Sequence, residues 1–144
     1  MARPPRIPVW PPLDQTITYF ITVCVGGRLS ALNNLEVFGA VLKFCDLHED
    51  WQTLAAIVMP DHFHALVRPL GNRDAKITQY SAALKRFVRR ETKAAWEWQD
   101  GVFDRLLRRD ESAESKWIYM RENPVRAGLV RRWEDWPYAI GYHV

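Results

Sequence analysis

The stretch Met59–Val67, with the sequence MPDHFHALV, decides the expected fold and the functional hypothesis for this chain. Within it, His62 and His64 flank one bulky apolar residue, Phe63. Because side chains alternate between the two faces of a strand, a strand from His62 to Arg68 would direct both imidazoles to one face. Two neutral imidazoles with this spacing can bind one divalent cation. Two ligands do not fill a coordination sphere, so a third must come from elsewhere in the chain.

The segments around this stretch predict an α+β fold. Period-two alternation predicts strands at about 16–25, 53–59, 62–68 and 102–107, and helical spacing predicts helices at about 35–48, 74–96 and 111–123. The second strand is apolar on both faces and is predicted to be central, and the short Pro60–Asp61 link favours an antiparallel hairpin with the third. This order of elements is typical of a split βαβ antiparallel sheet with helices on one face and an added C-terminal helix.

Composition favours one folded domain preceded by an arm. The 144 residues are 48% apolar and 26% charged, which excludes a disordered chain. No apolar run approaches the roughly 20 residues that cross a bilayer, and we expect a cytoplasmic protein. Residues 1–15 are predicted to form an extended, basic, Pro-rich arm, and residues 16–144 a single domain. Cys24 and Cys45 are too few and too far apart for a disulfide framework or a zinc site.

The positive charge is concentrated in one part of the chain. The net charge is +3, but residues 76–109 hold nine Lys or Arg against four Asp or Glu. A basic stripe on the predicted long helix consists of Lys85, Arg86, Arg89, Arg90 and Lys93. Such a stripe predicts contacts with the phosphates of a nucleic acid, although a solvated helix face explains the charge equally well. Arg3 and Arg6 on the arm could reach a folded hairpin or belong to a disordered tail, and Trp98 could stack on an unpaired base.

The last predicted helix offers a candidate nucleophile. Tyr119 and Asn123 are four residues apart, and on one continuous helix they would lie one turn from each other. We hypothesise that His62, His64 and the amide oxygen of Asn123 hold Mg²⁺ or Mn²⁺, while Tyr119 attacks a phosphate and becomes a phosphotyrosine. Nearby cations would hold the flanking phosphates, and the candidates are Arg105, Arg108 and Arg126. Tyr138 and Tyr142 are rival nucleophiles without a partner at ligand spacing.

Three blocks of sequence carry a resemblance to a known family. Met59–His64 resembles the HUH motif (histidine, hydrophobic residue, histidine) of single-strand DNA transposases. Tyr119–Val130, with the sequence YMRENPVRAGLV, resembles the tyrosine-helix segment of the REP-associated tyrosine transposases, and Trp98–Arg105 resembles the block that they place between the two. A histidine pair alone is a weak signal, whereas three blocks in this order are specific. The resemblance covers roughly residues 16–140.

The resemblance implies a ferredoxin-like catalytic domain, a divalent metal and a single nucleophilic tyrosine. Members of the family cleave and rejoin single-stranded DNA, leave a 5′-phosphotyrosine and a free 3′-hydroxyl, and recognise a stem-loop with a short 5′ guide sequence. Tyr119 matches the nucleophile, His62 and His64 match the paired ligands, and Asn123 matches the third ligand, where related insertion-sequence enzymes often have glutamine. The resemblance also implies a nucleoid-associated protein that acts as a monomer, although the insertion-sequence enzymes are dimers.

Two other functions stay open at this point. The chain could be a domesticated protein that grips a DNA or RNA hairpin without turnover, but pure binding requires neither the histidine pair nor Tyr119. It could also be a metal-dependent nuclease that uses activated water, which predicts cleavage independent of Tyr119 and no protein–DNA crosslink.

Overall fold

The computed structural model describes most of the chain, namely residues 17–71, 76–108 and 111–141. The predicted arm with Arg3 and Arg6, and the rival nucleophile Tyr142, lie outside these ranges. None of the helices found within them is long and apolar enough to cross a membrane.

Strands and helices follow one another in the predicted order as far as the last predicted helix. They are β1 (Tyr19–Cys24), α1 (Leu35–Leu47), β2 (Trp51–Val58), β3 (His62–Pro69), α2 (Ile77–Thr92), β4 (Phe103–Leu106), α3 (Ala113–Met120), α4 (Asn123–Arg126) and β5 (Ala139–Ile140). Single 3₁₀ turns at Gly26–Arg28 and Trp133–Asp135 join some of these elements. The strands and helices are close to the predicted ones up to β4, apart from the end of α2. After β4, the last helix is shorter than predicted, and α4 and the two-residue strand β5 were not predicted.

The strands form one antiparallel sheet in the order β4-β1-β3-β2-β5. This arrangement confirms the predicted α+β class. The histidine-bearing strand β3 is the middle strand and pairs along its length with β1 on one side and β2 on the other. On its other edge β2 pairs with β5 only at Ala56 and Ile57, so it lies nearer the edge than its apolar sequence suggested.

Helices cover both faces of this sheet. On one face, α1 and α2 pack against side chains of β1 and β3 that include Ile21, Val23, Phe63 and Val67. On the other face, Trp117 and Met120 of α3 pack against Ile57 and Leu66. The helix that was predicted as an addition to the split βαβ unit therefore lies on the opposite side of the sheet from α1 and α2.

Local chemistry explains where two of the helices begin and end. Asn34 caps α1, because its side-chain oxygen accepts a hydrogen bond of 2.9 Å from the backbone N–H of Val37. The predicted extension of α2 to Trp96 is wrong, since the helix ends at Thr92 and Lys93 adopts a left-handed conformation with φ of 49°. The N–H of Lys93 bonds back to the last carbonyls of the helix, which turns the chain away.

The predicted single helix ending at Asn123 is also wrong. The helix α3 stops at Met120, and Asn123 begins the separate short helix α4. Pro124 has no N–H to donate to a carbonyl one turn earlier, so it breaks a continuous helix. The same residue is tolerated in the first turn of a new helix, where that donor is not needed. Tyr119 and Asn123 therefore lie on two successive helices.

Candidate active site

The two imidazoles of β3 lie side by side on one face of the sheet. Their ring centroids are 4.6 Å apart. Phe63, between them in sequence, is 1% exposed and packs into the opposite layer with α1 and α2, as strand alternation predicted. Pairing with β1 places His62 opposite Cys24 and His64 opposite Thr22. The backbone hydrogen bonds on both sides of β3 therefore fix the positions of the backbone atoms from which the two imidazoles project.

One nitrogen of each imidazole is held by a neighbouring side chain. Nδ1 of His64 lies 2.8 Å from the hydroxyl of Thr22, and Nδ1 of His62 lies 2.7 Å from Oδ1 of Asp61. Nε2 is then the ring nitrogen with which each imidazole could bind an ion. A carboxylate or hydroxyl behind Nδ1 is the usual way in which a metal-binding histidine is oriented.

Electrostatics favour a neutral imidazole at His64. Burial, together with the neighbouring His62 imidazole and the Lys116 ammonium, lowers the pKa of His64 to about 3. A neutral ring keeps the lone pair that a cation requires.

Asp61 links His62 to Arg28, which lies in the 3₁₀ turn after β1. Its second oxygen accepts a hydrogen bond of 3.0 Å from Nε of Arg28. Partial burial of the carboxylate acts to raise the pKa of Asp61, but the hydrogen bonds to His62 and Arg28 outweigh it and bring the pKa below its usual value. The carboxylate that orients His62 is therefore ionised over the physiological range.

Tyr119 lies on the same side of the sheet as the imidazoles. Its side chain is 59% exposed, while its neighbours Trp117 and Met120 anchor α3 to the sheet. The ring of Phe20 stacks on His64 at 5.1 Å, and the ammonium of Lys116 lies 4.3 Å from the centroid of that Phe20 ring. The same ammonium lies 5.2 Å from the centroid of the Tyr119 ring. A continuous set of contacts thus joins the imidazole pair to the candidate nucleophile.

Arg126 holds Tyr119 and Asn123 together. Its guanidinium lies 4.2 Å from the centroid of the Tyr119 ring and donates a hydrogen bond of 2.9 Å to the Tyr119 carbonyl. The same guanidinium donates a short hydrogen bond to the side-chain oxygen of Asn123. Arg126, which the sequence suggested as a phosphate contact, is thus bound to the tyrosine segment itself.

The donor groups fit a divalent cation, with one condition. Within the described ranges, no three His, Cys, Asp or Glu side chains form a cluster that could hold a metal. His62 and His64 supply two imidazole nitrogen donors, and Asn123 supplies an amide oxygen of the kind that Mg²⁺ and Mn²⁺ accept. Since that oxygen is bonded to Arg126, Asn123 would have to exchange this partner for the ion.

Two residues of the predicted basic stripe have structural partners. Lys85 donates to the carbonyls of Gln99 and Gly101 at 2.9 Å and 2.6 Å. Arg89 donates to the carbonyl of Trp96 at 2.9 Å, so both cations fasten the segment after α2 to the helix. Trp98, which the sequence suggested as a residue that stacks on an unpaired base, lies in that segment. Its indole is half-buried and donates to the carbonyl of Lys85 at 3.1 Å.

The other predicted DNA contacts fall into two groups. Arg86, Arg90 and Lys93 are exposed on α2 or at its end, in the layer opposite the imidazoles. Arg105 pairs with Phe20 across β1 and β4, which places it on the imidazole face. It donates to both carboxylate oxygens of Glu111 at 2.8 Å and 3.1 Å, and the backbone N–H of Arg108 donates to the same carboxylate.

Several residues of the site were missed by sequence reasoning. Thr22 and Phe20 could have been found from the alternation of β1, but only once its register with β3 was known. Lys116 is three residues before Tyr119, a helical spacing that would have indicated it. The rival nucleophile Tyr138 contacts Phe38 of α1 at 5.8 Å between centroids, in the layer away from the imidazoles.

Known proteins support the resemblance that the sequence motifs suggested. No protein-family model matches the chain. A protein of Haemophilus influenzae that is provisionally named a REP-associated tyrosine transposase is 26% identical over 136 residues, which cover 84% of this chain and 77% of that protein.

Solved structures show the same fold. The structure of a REP-associated tyrosine transposase bound to a REP hairpin superposes with a TM-score of 0.72 at 22% identity, over 87% of this chain and 76% of that one. A protein of Deinococcus radiodurans R1 provisionally identified as a transposase has a TM-score of 0.52 at 18% identity, over 74% of this chain and 88% of that one. The resemblance to the REP-associated tyrosine transposases is therefore confirmed, in sequence by the first relative and in fold by these structures.

Proposed function

We propose that this chain is a REP-associated tyrosine transposase, a metal-dependent enzyme that cleaves and rejoins single-stranded DNA near hairpin sequences. The single observation that carries the proposal is the chain of contacts on one sheet face from His64 through Phe20 and Lys116 to Tyr119. A packing role alone would not require an exposed phenol flanked by the cations Lys116 and Arg126.

The reaction would be a transesterification at a phosphodiester. The phenolic oxygen of Tyr119 attacks the phosphorus and loses its proton, the bond from phosphorus to the 3′-oxygen breaks, and the departing 3′-oxygen takes up a proton. The products are a 5′-phosphotyrosine and a free 3′-hydroxyl. Because one phosphodiester replaces another, a second 3′-hydroxyl can attack the phosphotyrosine and reseal DNA without an external energy source.

The residues around Tyr119 have distinct parts in this step. His62, His64 and Asn123 would hold Mg²⁺ or Mn²⁺, and the ion when bound would offset the charge that develops on the phosphate. Lys116 and Arg126 flank the phenol ring and would favour the developing phenolate and hold the phosphate nearby. Asp61 and Thr22 would keep the imidazoles oriented.

Hairpin DNA is the proposed substrate. The structural neighbour is bound to a REP hairpin, and this chain is basic in the region that contains α2. Exposed cations away from the reacting groups would hold duplex phosphates, and we assign this role to Arg86, Arg90 and Lys93 with Arg3 and Arg6 of the arm. Arg105 and Arg108, beside α3, would contact the strand nearer the cleavage point. We propose that the protein acts as a monomer.

The test is covalent capture. The full chain is incubated with Mn²⁺ and a pool of hairpin-bearing single strands, denatured, and examined for DNA that remains attached to protein. We expect an adduct in the parent protein, none in Tyr119→Phe, and an unchanged adduct in the matched control Tyr138→Phe. Tyr119→Phe should still bind the hairpins.

The other outcomes identify the alternatives. An adduct that persists in Tyr119→Phe would remove Tyr119 as the nucleophile. Cleavage without any adduct would indicate a nuclease that uses water, and hairpin binding without cleavage would indicate a binding module. Sequencing the captured DNA ends would give the target sequence.

A further inference from the structure

We infer that Phe103 is a stacking platform for an unpaired base of the DNA strand that enters the site. This inference rests on the proposed function for the class of ligand, single-stranded DNA. Phe103 lies on the edge strand β4, and the sequence motifs had suggested no role for its side chain.

The sheet register places Phe103 beside the imidazoles. Thr22 of β1 pairs with His64 on one side and with Phe103 on the other. Directly paired residues in an antiparallel sheet project to the same face, so these three side chains form one row across the sheet. Phe103 is two strands away from His64, a separation of roughly 10 Å. A base on this ring would lie within a nucleotide or two of a phosphate held at the imidazoles.

The ring of Phe103 is open to solvent where a packed strand would bury it. Phe103 is 64% exposed, the highest value among the exposed phenylalanine and tyrosine side chains of the described ranges. It lines a shallow groove together with Phe20, Thr22, Asp104 and Arg105. Asp104 pairs with Ile21, whose side chain faces α1 and α2, so strand alternation directs its carboxylate away from the ring of Phe103.

A second groove continues from the first to the candidate nucleophile. It is lined by Glu111, Ser112, Ser115, Lys116 and Tyr119. Two contacts join the grooves, since Arg105 is bonded to Glu111 and Lys116 lies over the ring of Phe20. The joined surface runs from Phe103 to Tyr119 and contains the rings of Phe103, Phe20 and Tyr119, the Lys116 ammonium, and the ion pair of Arg105 with Glu111.

This combination of groups is suited to single-stranded nucleic acid. Exposed rings stack on bases of any sequence, while cations between the rings hold the backbone phosphates. Lys116 supplies such a cation between Phe103 and Tyr119, and Arg105 would supply another on exchanging the Glu111 carboxylate for a phosphate. A double helix would not fit this role, because its bases are stacked on one another and cannot reach a ring on the sheet.

The experiment measures binding and stacking without cleavage. In a Tyr119→Phe background, hairpin oligonucleotides carry the fluorescent base 2-aminopurine at successive positions of their single-stranded flanks. We expect quenching at one or two positions on binding. Phe103→Ala should abolish that quenching and weaken binding about 10-fold, whereas Phe103→Trp should keep both.

Leu106→Ala is the matched control. Leu106 is on the same edge strand and is 49% exposed, but it pairs with Tyr19 and so lies on the opposite face. We expect no change in affinity or quenching. Equal effects of the two alanine variants, or unchanged quenching in Phe103→Ala, would overturn the inference.

Failure of the inference and failure of the proposed function give different results. If the parent chain forms the Tyr119 adduct but Phe103→Ala binds and quenches normally, the stacking role is wrong and the transposase proposal stands. If Phe103→Ala loses binding and quenching but no adduct forms with the parent chain, the stacking role stands and the transposase proposal is wrong. If no single strand binds the Tyr119→Phe protein, the stacking role is wrong as well.

Discussion

The two halves of the candidate site are held in very different ways. The imidazole half is built into the middle strand of the sheet, with a ladder of hydrogen bonds on each side and the fully buried Phe63 behind it. The tyrosine half consists of two short helices, α3 with Tyr119 and α4 with Asn123. Tyr119 is 59% exposed. The imidazole half is thus fixed by the fold. In the tyrosine half, Trp117 and Met120 anchor the backbone of α3 to the sheet, and only the ring of Tyr119 is held by a few surface contacts.

This difference suggests how the site is assembled. Each exposed cation–π contact of Tyr119, with Lys116 or with Arg126, is worth about 0.5–1 kcal/mol, whereas a buried phenylalanine is worth several times as much. The Tyr119 side chain can therefore be repositioned at small cost over imidazoles that stay in place. Release of Asn123 from Arg126, which binding of a cation would require, is a change of this small size.

The largest expected effect is on stability, in the imidazole half. Phe63→Ala should lower the free energy of unfolding by about 3–5 kcal/mol, because it leaves a cavity between the sheet and the helix layer. Ile118→Ala, which truncates a 46% exposed side chain beside Tyr119, should change it by less than about 0.5 kcal/mol. Chemical denaturation of both variants checks the contrast, and similar losses would show that the face of α3 with Ile118 and Tyr119 is packed as tightly as Phe63.

The second-largest expected effect is on the rate of covalent adduct formation. His64→Ala removes one of the two imidazole donors, and we expect covalent adduct formation to fall by more than about 100-fold. Hairpin binding should be nearly unchanged, because phosphate contacts on other parts of the surface dominate affinity. Adduct yield over time in Mn²⁺, with a filter-binding assay beside it, measures both. An adduct formed at the parent rate would mean that the imidazoles play no part in catalysis.

Asp61→Asn tests whether the carboxylate that is hydrogen-bonded to His62 orients this imidazole as a ligand. The neutral amide keeps the shape of the carboxylate but loses its charge, so His62 would be a weaker and less well-oriented ligand. We expect the Mn²⁺ concentration for half-maximal activity to rise about 10–100-fold. Thr22→Val is a companion variant for His64, with a smaller shift in the same direction. Unchanged Mn²⁺ dependence in both would contradict the assigned orienting roles.

The smallest effect is expected at Arg126, in the tyrosine half. Arg126→Ala removes a cation–π contact and the hydrogen bond to the Tyr119 carbonyl, and we expect adduct formation to slow about 10-fold. Arg126→Lys should recover only part of the rate, because an ammonium cannot stack flat and bond both partners at once. The rate at saturating DNA should change more than the DNA concentration for half-maximal rate. The reverse pattern would make Arg126 a simple phosphate contact.

The sequence was most informative where the structure depends on local pattern. Alternation around Phe63 was sufficient to predict that His62 and His64 share a face, because strand geometry fixes it. The antiparallel sheet followed from the short link before His62. The start of α1 is local in the same sense, because asparagine is a common cap and the side chain of Asn34 caps this helix.

Prediction failed where a distant part of the chain decides the outcome. Lys85 and Arg89 look like phosphate contacts in a basic stripe, but they donate to carbonyls at residues 96–101, which only the folded chain brings near. Pro124 was expected to end a helix, and it lies instead in the first turn of the next one. The exposure of Phe103 depends on β4 being an edge strand, which the order of elements along the chain does not reveal.

The central claim is that the phenol of Tyr119 and the imidazole pair form one reacting site. The most direct measurement is mass spectrometry of the peptides that remain linked to DNA after reaction with Mn²⁺ and a hairpin-bearing strand. We expect a nucleotide on the peptide that contains Tyr119 in the parent protein, and none on it in His64→Ala. A nucleotide on Tyr138 or Tyr142, or the same yield on Tyr119 without His64, would contradict it.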